Sequence, residues 1–271
     1  MRLQLTLNHQ PNQALPINYQ WLISSWIYRT LEKANPEFSA WLHENGFGYQ
    51  GKQYKLFTFS ALSPQRYRIG QRSRAFVLAA PPSTIELSFY VDEAMQHFIV
   101  GLFKGQQFSL KSGPFQADFE VSGIQMLAPP PFRERMRFRL LSPLCISRQE
   151  EGKKYADYLH PQDEGYSQLL IQNLLHKQGA LQQQTVGTTA AAPPIDFPYD
   201  FQLLSPPKSK LFTIKGVSIR GYLFDFELAA LVELLELVPS ALNYARFNCF
   251  NLWALMKPLN FHLSGLMRQR L

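Results

Sequence analysis

Cysteine is scarce in this 271-residue chain, which contains only Cys145 and Cys249. Two cysteines exclude a disulfide scaffold and a four-cysteine zinc site, and two thiols in a reducing compartment are the simpler interpretation. No stretch reaches the roughly 18 uninterrupted apolar residues that a membrane span requires. The opening residues, MRLQLTLNHQ, also lack a signal-peptide pattern. We therefore expect a cytoplasmic protein with no membrane span.

The motifs that mark many small-molecule enzymes are absent as well. The sequence contains neither the phosphate-binding G-x-x-x-x-G-K-[ST] motif nor a dinucleotide fingerprint. His43 and Glu44 do not begin the zinc motif H-E-x-x-H, because Phe47 stands where the second histidine belongs. An enzyme or regulator of small metabolites has no support, and we expect neither a metal nor an organic cofactor.

The residues that are present indicate a globular protein with an anionic partner. Hydrophobic residues make up 46% of the chain, which is enough to form a sizeable core. Lysine and arginine number 27 against 20 aspartates and glutamates, so the net charge is +7. A basic balance favours nucleic acid as the partner and an anionic membrane surface second.

Apolar spacing in the first half predicts an alternation of strands and helices. Leu3, Leu5 and Leu7 have the two-residue period of a half-buried strand, whereas Leu22, Ile23, Trp26 and Ile27 have helical spacing. The predicted elements are a strand at 1–9, helices at 19–34 and 37–45, strands at 54–62, 65–78 and 84–90, a helix at 91–104 and a hairpin at 106–127. This order is that of the ferredoxin-like fold, which RNA-recognition modules also use.

Ala128 and the three prolines that follow it predict a linker, since proline cannot donate to a sheet and holds the chain extended. We therefore predict two domains, residues 1–128 and 132–271. The second shows a strand at 133–147, a helix at 164–178, a loop at 181–199, a hairpin at 210–228 and a helix at about 230–237. The predicted fold class is α+β, with two tandem ferredoxin-like (RRM-like) domains whose sheet faces enclose a basic cleft.

Three polar residues of the first half could cleave RNA without a metal. In such a reaction the ribose 2′-hydroxyl loses a proton and attacks phosphorus, and the leaving 5′-oxygen gains a proton. A histidine such as His43 can both accept and donate a proton. Tyr28 can orient or deprotonate the 2′-hydroxyl, and Lys55 supplies a cation for the phosphate.

Residues 15–62 resemble the CRISPR repeat-processing endoribonucleases, the Cas6 family, in the segments IYRTL, WLHENGF and YKLFTFSAL. The likeness continues through 87–110, 119–127, 136–159 and 215–228. The family's catalytic triad is a helix tyrosine, a histidine in an LHE segment and a lysine before LFTFS, which correspond to Tyr28, His43 and Lys55. The resemblance implies metal-independent cleavage of precursor CRISPR RNA within each repeat, which leaves a 2′,3′-cyclic phosphate and a 5′-hydroxyl.

Clustered basic residues agree with an RNA partner. In RERMRFRLL the arginines recur every second residue, which places them on one face of a strand while Met136, Phe138 and Leu140 face the core. Guanidinium groups suit phosphates because of their forked donors. The candidate RNA-binding residues are Arg66, Arg68, Arg133, Arg135, Arg137, Arg139, Arg148, Lys153 and Lys154.

The C-terminal end departs from the family pattern, which has a glycine-rich segment of the form G-x-G-x-x-N-S-x-G-F-G beside the RNA. Asn248 and Cys249 stand in place of the Asn-Ser pair, and no glycine occurs between Tyr222 and Ser264. Two explanations stay open. Either the segment has diverged, or the reading frame shifts near residue 238. In both cases we expect the fourth strand of the second domain to come from 241–263.

Two functional hypotheses follow from these observations. The complete triad favours a nuclease, whereas the missing glycine-rich segment favours a relative that binds CRISPR repeat RNA without cutting it efficiently. A partnership with a CRISPR effector complex is an open alternative in either case, as is the choice between a monomer and a homodimer.

Overall fold

The computed structural model describes residues 1–70, 74–129, 131–148, 156–186, 195–214, 217–241 and 256–258. The strands of its first half are β1 (Arg2–His9), β2 (Gln13–Pro16), β3 (Phe47–Tyr49), β4 (Lys52–Tyr54), β5 (Phe57–Phe59), β6 (Ser63–Gly70), β7 (Ala75–Phe89), β8 (Gln107–Ser112) and β9 (Phe115–Leu127). The helices of this half are α1 (Gln20–Ala34), α2 (Pro36–Glu44) and α3 (Asp92–Lys104).

The sheet of the first half is built around β1. This strand pairs antiparallel with β9 on one side and with β7 on the other, and β6 pairs with the opposite edge of β7. Leu3, Leu5 and Leu7 are fully buried, as their alternation predicted. Above them α1 packs on α3, where the Trp26 ring lies edge-on to Phe98 at 5.7 Å between centroids. The order β9–β1–β7–β6 is the ferredoxin-like arrangement.

Two predicted strands of this half are wrong. Residues 54–62 contain the last residue of β4 and the three-residue strand β5, separated by Lys55 and Leu56. Residues 65–78 do not form a single strand, because the chain reverses and Gly70 pairs with Ala75. The predicted strand at 84–90 is the far end of the long strand β7. The alternating pattern runs through both β6 and β7, so it gave no sign of the reversal between them. The sequence prediction also missed β2 and the β3–β4 hairpin.

The second half repeats the same plan. Its strands are β10 (Arg135–Leu140), β11 (Ser147–Arg148), β12 (Asp157–Tyr158), β13 (Asp200–Leu203), β14 (Lys208–Ile214), β15 (Val217–Leu223), β16 (Asp225–Ala229) and β17 (Met256–Pro258). The helices are α4 (Tyr166–Val186) and α5 (Val232–Ala241). β10 pairs with β17 and β16, and β16 pairs with β13. The order β17–β10–β16–β13 matches that of the first half, which confirms tandem ferredoxin-like folds.

Several predictions for the second half need adjustment. The strand predicted at 133–147 ends at Leu140, and Ser147–Arg148 pairs separately with Asp157–Tyr158. Helix α4 continues to Val186, so residues 181–186 of the predicted loop are helical, and residues 187–194 of it lie outside the described residues. The turn predicted near Lys215 lies outside the described residues, although Ile214 pairs with Val217 on either side of it. The fourth strand does come from 241–263, as β17.

No helix among the described residues is long and apolar enough to span a membrane. The two halves of the chain pack against each other. Helix α4 lies against β3, and α5 lies against β5 and β7. Thr58 of β5 is one point of contact, since its hydroxyl donates to the carbonyl of Pro239 at 3.4 Å. The loop between β4 and β5 therefore lies beside the junction of the two domains.

Candidate active site

A tight corner between α1 and α2 brings Tyr28 next to His43. Asn35 ends α1 by donating its backbone N–H to Leu31, and its side chain caps α2 by accepting from the Phe38 N–H at 3.0 Å. The Ser39 hydroxyl then donates to the carbonyl of Tyr28 at 2.9 Å, which links the second helix to the first. As a result the Tyr28 and His43 rings meet edge to face, with centroids 4.9 Å apart.

Lys55 follows strand β4 and contacts the end of α2 at His43. The chain leaves α2 through Gly46, whose φ of +62° lies in the left-handed region, and returns by way of β3 and β4. A Cβ atom at Gly46 would lie 2.6 Å from the carbonyl oxygen of Tyr54 and 3.1 Å from the Lys55 Nζ. The absence of a side chain therefore lets the Lys55 ammonium donate to the carbonyl of His43 at 2.8 Å.

The surroundings of the three side chains differ. Lys55 is half-buried, and desolvation lowers its pKa to about 8. Lys55 thus stays mostly protonated near pH 7 but gives up its proton more readily than a solvated lysine. Tyr28 is half-buried and also lies edge-on to Phe57 at 5.7 Å, whereas His43 is exposed. The histidine is therefore the side chain of the cluster that is most accessible to a substrate from solution.

The arginines of β10 share one face, as predicted, and Phe138 between them is fully buried. Arg133 precedes the strand, and all three arginines within it are engaged in ion pairs with carboxylates of β13 and β16. Glu227 accepts from both Arg135 at 2.7 Å and Arg137 at 2.6 Å, Asp200 accepts from Arg135 at 3.1 Å, and Asp225 accepts from Arg139 at 2.8 Å. Two arginines hold the pKa of Glu227 below its usual value through these hydrogen bonds. The guanidinium row is therefore partly neutralised.

The other predicted RNA-binding residues are dispersed over the surface. Arg66 and Arg68 are exposed on β6, where Arg68 donates to the Asn12 side chain at 2.7 Å. Arg133 and Arg148 are exposed as well. Lys153 and Lys154 lie outside the described residues. The structure thus brings Tyr28, His43 and Lys55 together and leaves the basic residues distributed over both domains.

Sequence reasoning missed one group of residues beside the site. Helix α4 carries Lys177 on the same side as Leu170 and Leu174, and all three are fully buried. Their spacing of three, four and seven residues is the periodicity of one helix face, so a lysine within it was the available signal. This buried face packs toward the hairpin that leads into Lys55.

Fold and site together define a tandem ferredoxin-like protein with a Tyr–His–Lys cluster in its first domain. The family model for the N-terminal part of CRISPR-associated protein Cas6 matches residues 14–124, and the family model for its C-terminal part matches residues 127–241. This chain belongs to the Cas6 family. The C-terminal match ends at residue 241, a few residues past residue 238, near which one of the two explanations places a shift of the reading frame. Asn248 and Cys249 lie outside the described residues.

Two relatives are named as endoribonucleases. CRISPR-associated endoribonuclease Cas6 1 of Methanocaldococcus jannaschii is 27% identical over 180 residues, which span 65% of each chain. CRISPR-associated endoribonuclease Cas6 of Pyrococcus furiosus is 23% identical over 197 residues, 73% of this chain and 67% of the relative. The chain thus matches slightly less than two thirds of the first relative's length.

Solved structures show the same fold. A Cas6-related protein from Pyrococcus furiosus superposes with a TM-score of 0.74 at 21% identity, over 96% of this chain and 98% of the other. A RAMP protein described as binding different RNA substrates gives a TM-score of 0.72 at 18% identity, over 95% and 99%. At this level of identity the likeness supports the fold alone.

Proposed function

We propose that this protein is a metal-independent endoribonuclease that cleaves precursor CRISPR RNA within its repeats. The observation that supports it most is the contact of His43 with both Tyr28 and Lys55, which are separated by 27 positions in the printed sequence. Named endoribonucleases among its relatives agree with this activity. The proposed domain division is 1–128 for the catalytic residues and 132–271 for RNA binding.

The proposed reaction forms one bond and breaks another at a single phosphorus. The ribose 2′-oxygen bonds to phosphorus while its proton leaves, and the bond from phosphorus to the 5′-oxygen breaks as that oxygen gains a proton. The products carry a 2′,3′-cyclic phosphate and a 5′-hydroxyl. Because two protons move, one group must assist at each oxygen.

Each side chain of the cluster suits one part of this reaction. Tyr28 orients the 2′-hydroxyl and assists loss of its proton, and His43, which is exposed, protonates the leaving 5′-oxygen. Lys55 uses one of its three N–H donors on the carbonyl of His43 and keeps two for the phosphate. Its positive charge then stabilises the extra negative charge of the phosphorane.

Basic residues on both domains are the proposed contacts to the RNA backbone. Arg66 and Arg68 project from β6, and Arg133 and Arg148 are exposed in the second domain. Lys153 and Lys154 belong to the same proposal. Arg135, Arg137 and Arg139 would contact phosphate only by sharing or leaving their carboxylate partners, so we assign them a smaller share of the affinity.

The test is cleavage of a CRISPR repeat RNA in EDTA, with His43→Ala and Glu44→Gln compared in parallel. Glu44 is the adjacent exposed residue of α2, so its variant controls for disturbance of the helix end. We expect one cleavage site, retained by Glu44→Gln and slowed at least about a hundredfold by His43→Ala, the usual contribution of acid–base catalysis. Equal rates for the two variants would exclude a catalytic role of His43.

A second candidate function is RNA binding without efficient cleavage. It is favoured by the glycine-free stretch from 223 to 263, where the family has a glycine-rich segment. In the same assay this candidate predicts tight binding of the repeat and no cut by the parent protein.

A further inference from the structure

Lys55 lies between two segments that the second domain holds in place. Before it stands the β3–β4 hairpin, against which α4 packs, and after it stands β5, against which α5 packs. Leu56, between Lys55 and β5, is buried with a φ of +50°, and its carbonyl accepts from the Tyr90 N–H at 2.9 Å. A non-glycine residue with positive φ is strained and persists only where its surroundings impose it.

Helix α4 contacts the hairpin closely at two points. Tyr49 lies across Gly179, where a Cβ atom would be 2.5 Å from the ring carbon Cζ. The Lys52 Nζ is 3.3 Å from Nδ1 of His176, whose ring centroid is 5.8 Å from that of Tyr49. Since Gly179 is the residue that permits this approach, a larger side chain there would push the hairpin away from the helix.

Lys177 follows His176 directly on the same helix. It is fully buried, and its Nζ lies 5.9 Å from the ring centroid of Tyr54, the residue directly before Lys55. Burial lowers the pKa of Lys177 well below its ordinary value, which reflects the free-energy cost of placing an ammonium group there. Lys177 thereby links the buried face of α4 to the residue that directly precedes Lys55.

The effect of Tyr54 on the catalytic cluster is direct. Its ring is buried against α4, and its backbone carbonyl is the atom nearest to the position of a Cβ at Gly46. Tyr54 therefore connects helix α4 to the turn after α2 and to Lys55. A shift of the Tyr54 ring would move the Lys55 backbone relative to the carbonyl of His43.

We propose that Lys177 is a positioning residue, through which α4 of the second domain and Tyr54 hold Lys55 against His43. Cleavage would thus require the two domains to be docked. The inference rests on the proposed nuclease function. It adds a dependence of the chemical step on a domain contact, which can be measured separately from RNA binding.

The test compares Lys177→Met with Lys111→Met in the full-length protein. Lys111 is exposed on β8, so Lys111→Met makes the same substitution away from the domain contact, and Gln172→Ala on the exposed face of α4 controls for disturbance of the helix. For Lys177→Met we expect single-turnover cleavage at saturating protein to slow at least about tenfold, since small misplacements of catalytic groups have effects of this size. The dissociation constant for the repeat RNA should equal that of Lys111→Met.

A second variant keeps the inference testable if Lys177→Met fails to fold. Gly179→Ala should also slow cleavage without weakening RNA binding, because it displaces Tyr49. Cleavage by Lys177→Met as fast as by Lys111→Met would overturn the inference, and so would a parallel loss of binding and cleavage. A parent protein that does not cut the repeat would instead overturn the proposed function itself.

Discussion

The Lys55 ammonium donates to the backbone carbonyl of His43 at 2.8 Å, so the cation is tied to the residue that carries the imidazole. The ring of His43 also contacts the ring of Tyr28, with the centroids 4.9 Å apart. Two short connections, one through Asn35 and one through Gly46, thereby assemble three side chains that the sequence separates. Predictions about the site follow from this arrangement.

The first prediction concerns alkaline pH. Desolvation lowers the pKa of Lys55 to about 8, so the positive charge is present below that pH and is lost as pH rises through it. Cleavage by the parent should therefore decline above about pH 8. Lys55→Arg should be slower at neutral pH, but the ratio of the parent rate to the variant rate should fall as pH rises through about 8, because arginine stays protonated and His43 is common to both proteins. Single-turnover rates across this range test the prediction, and coincident alkaline declines for the two proteins would contradict it.

The second prediction compares two glycines of the same hairpin region. Gly46→Ala places a Cβ 2.6 Å from the Tyr54 carbonyl at a positive φ, whereas nothing lies within 4 Å of a Cβ at Gly48. We expect Gly46→Ala to lower the free energy of unfolding by roughly 1–3 kcal/mol and to slow cleavage. Gly48→Ala should leave both unchanged. Urea unfolding and cleavage rates measure the two effects, and similar behaviour of the variants would show that the tight turn is unimportant.

The third prediction concerns the basic surface. Arg139 is paired with Asp225, whereas Arg66 lies exposed on β6. If Arg66 contacts phosphate, Arg66→Ala should weaken RNA binding and lower the slope of log affinity against log salt by roughly 0.7. Arg139→Ala should change that slope less, because its guanidinium is already balanced by a carboxylate. Titrations at several salt concentrations decide this, and an equal change for both variants would argue against it.

The fourth prediction concerns the C-terminal tail. If the reading frame shifts near residue 238, another frame of the coding DNA after codon 237 encodes a glycine-rich segment of the family type. A protein rebuilt with that segment should then bind repeat RNA more tightly than the present chain. The DNA sequence alone is decisive in one direction, because the absence of such a segment from both other frames excludes the shift.

Local hydrophobic patterns predicted many of the helices and strands. The alternation of Leu3, Leu5 and Leu7 and the helical spacing around Trp26 predicted β1 and α1 because one face of each is buried in its own domain. The reversal between Gly70 and Ala75 was not predictable in this way, since alternation continues through both strands. Long-range partners were equally hidden from local patterns. Glu227, some 90 residues from Arg137, is beside it only because β10 and β16 pair.

The candidate site was predictable for a different reason. Tyr28, His43 and Lys55 were singled out by residue type and by family resemblance, and their proximity depends on the Asn35 cap and the Gly46 turn. Their spacing in the sequence alone does not predict that the three side chains lie close together. The buried Lys177 was visible only as a lysine on an apolar helix face.

The central claim is attack by the 2′-hydroxyl without a metal, and one substitution in the RNA tests it most directly. A repeat RNA with a single 2′-deoxy nucleotide on the 5′ side of the cleavage site is incubated with the protein in EDTA beside the unmodified RNA. We predict that both RNAs bind equally, that only the unmodified RNA is cut, and that its product ends in a 2′,3′-cyclic phosphate. Cleavage of the deoxy-substituted RNA at the same position would contradict the proposed mechanism.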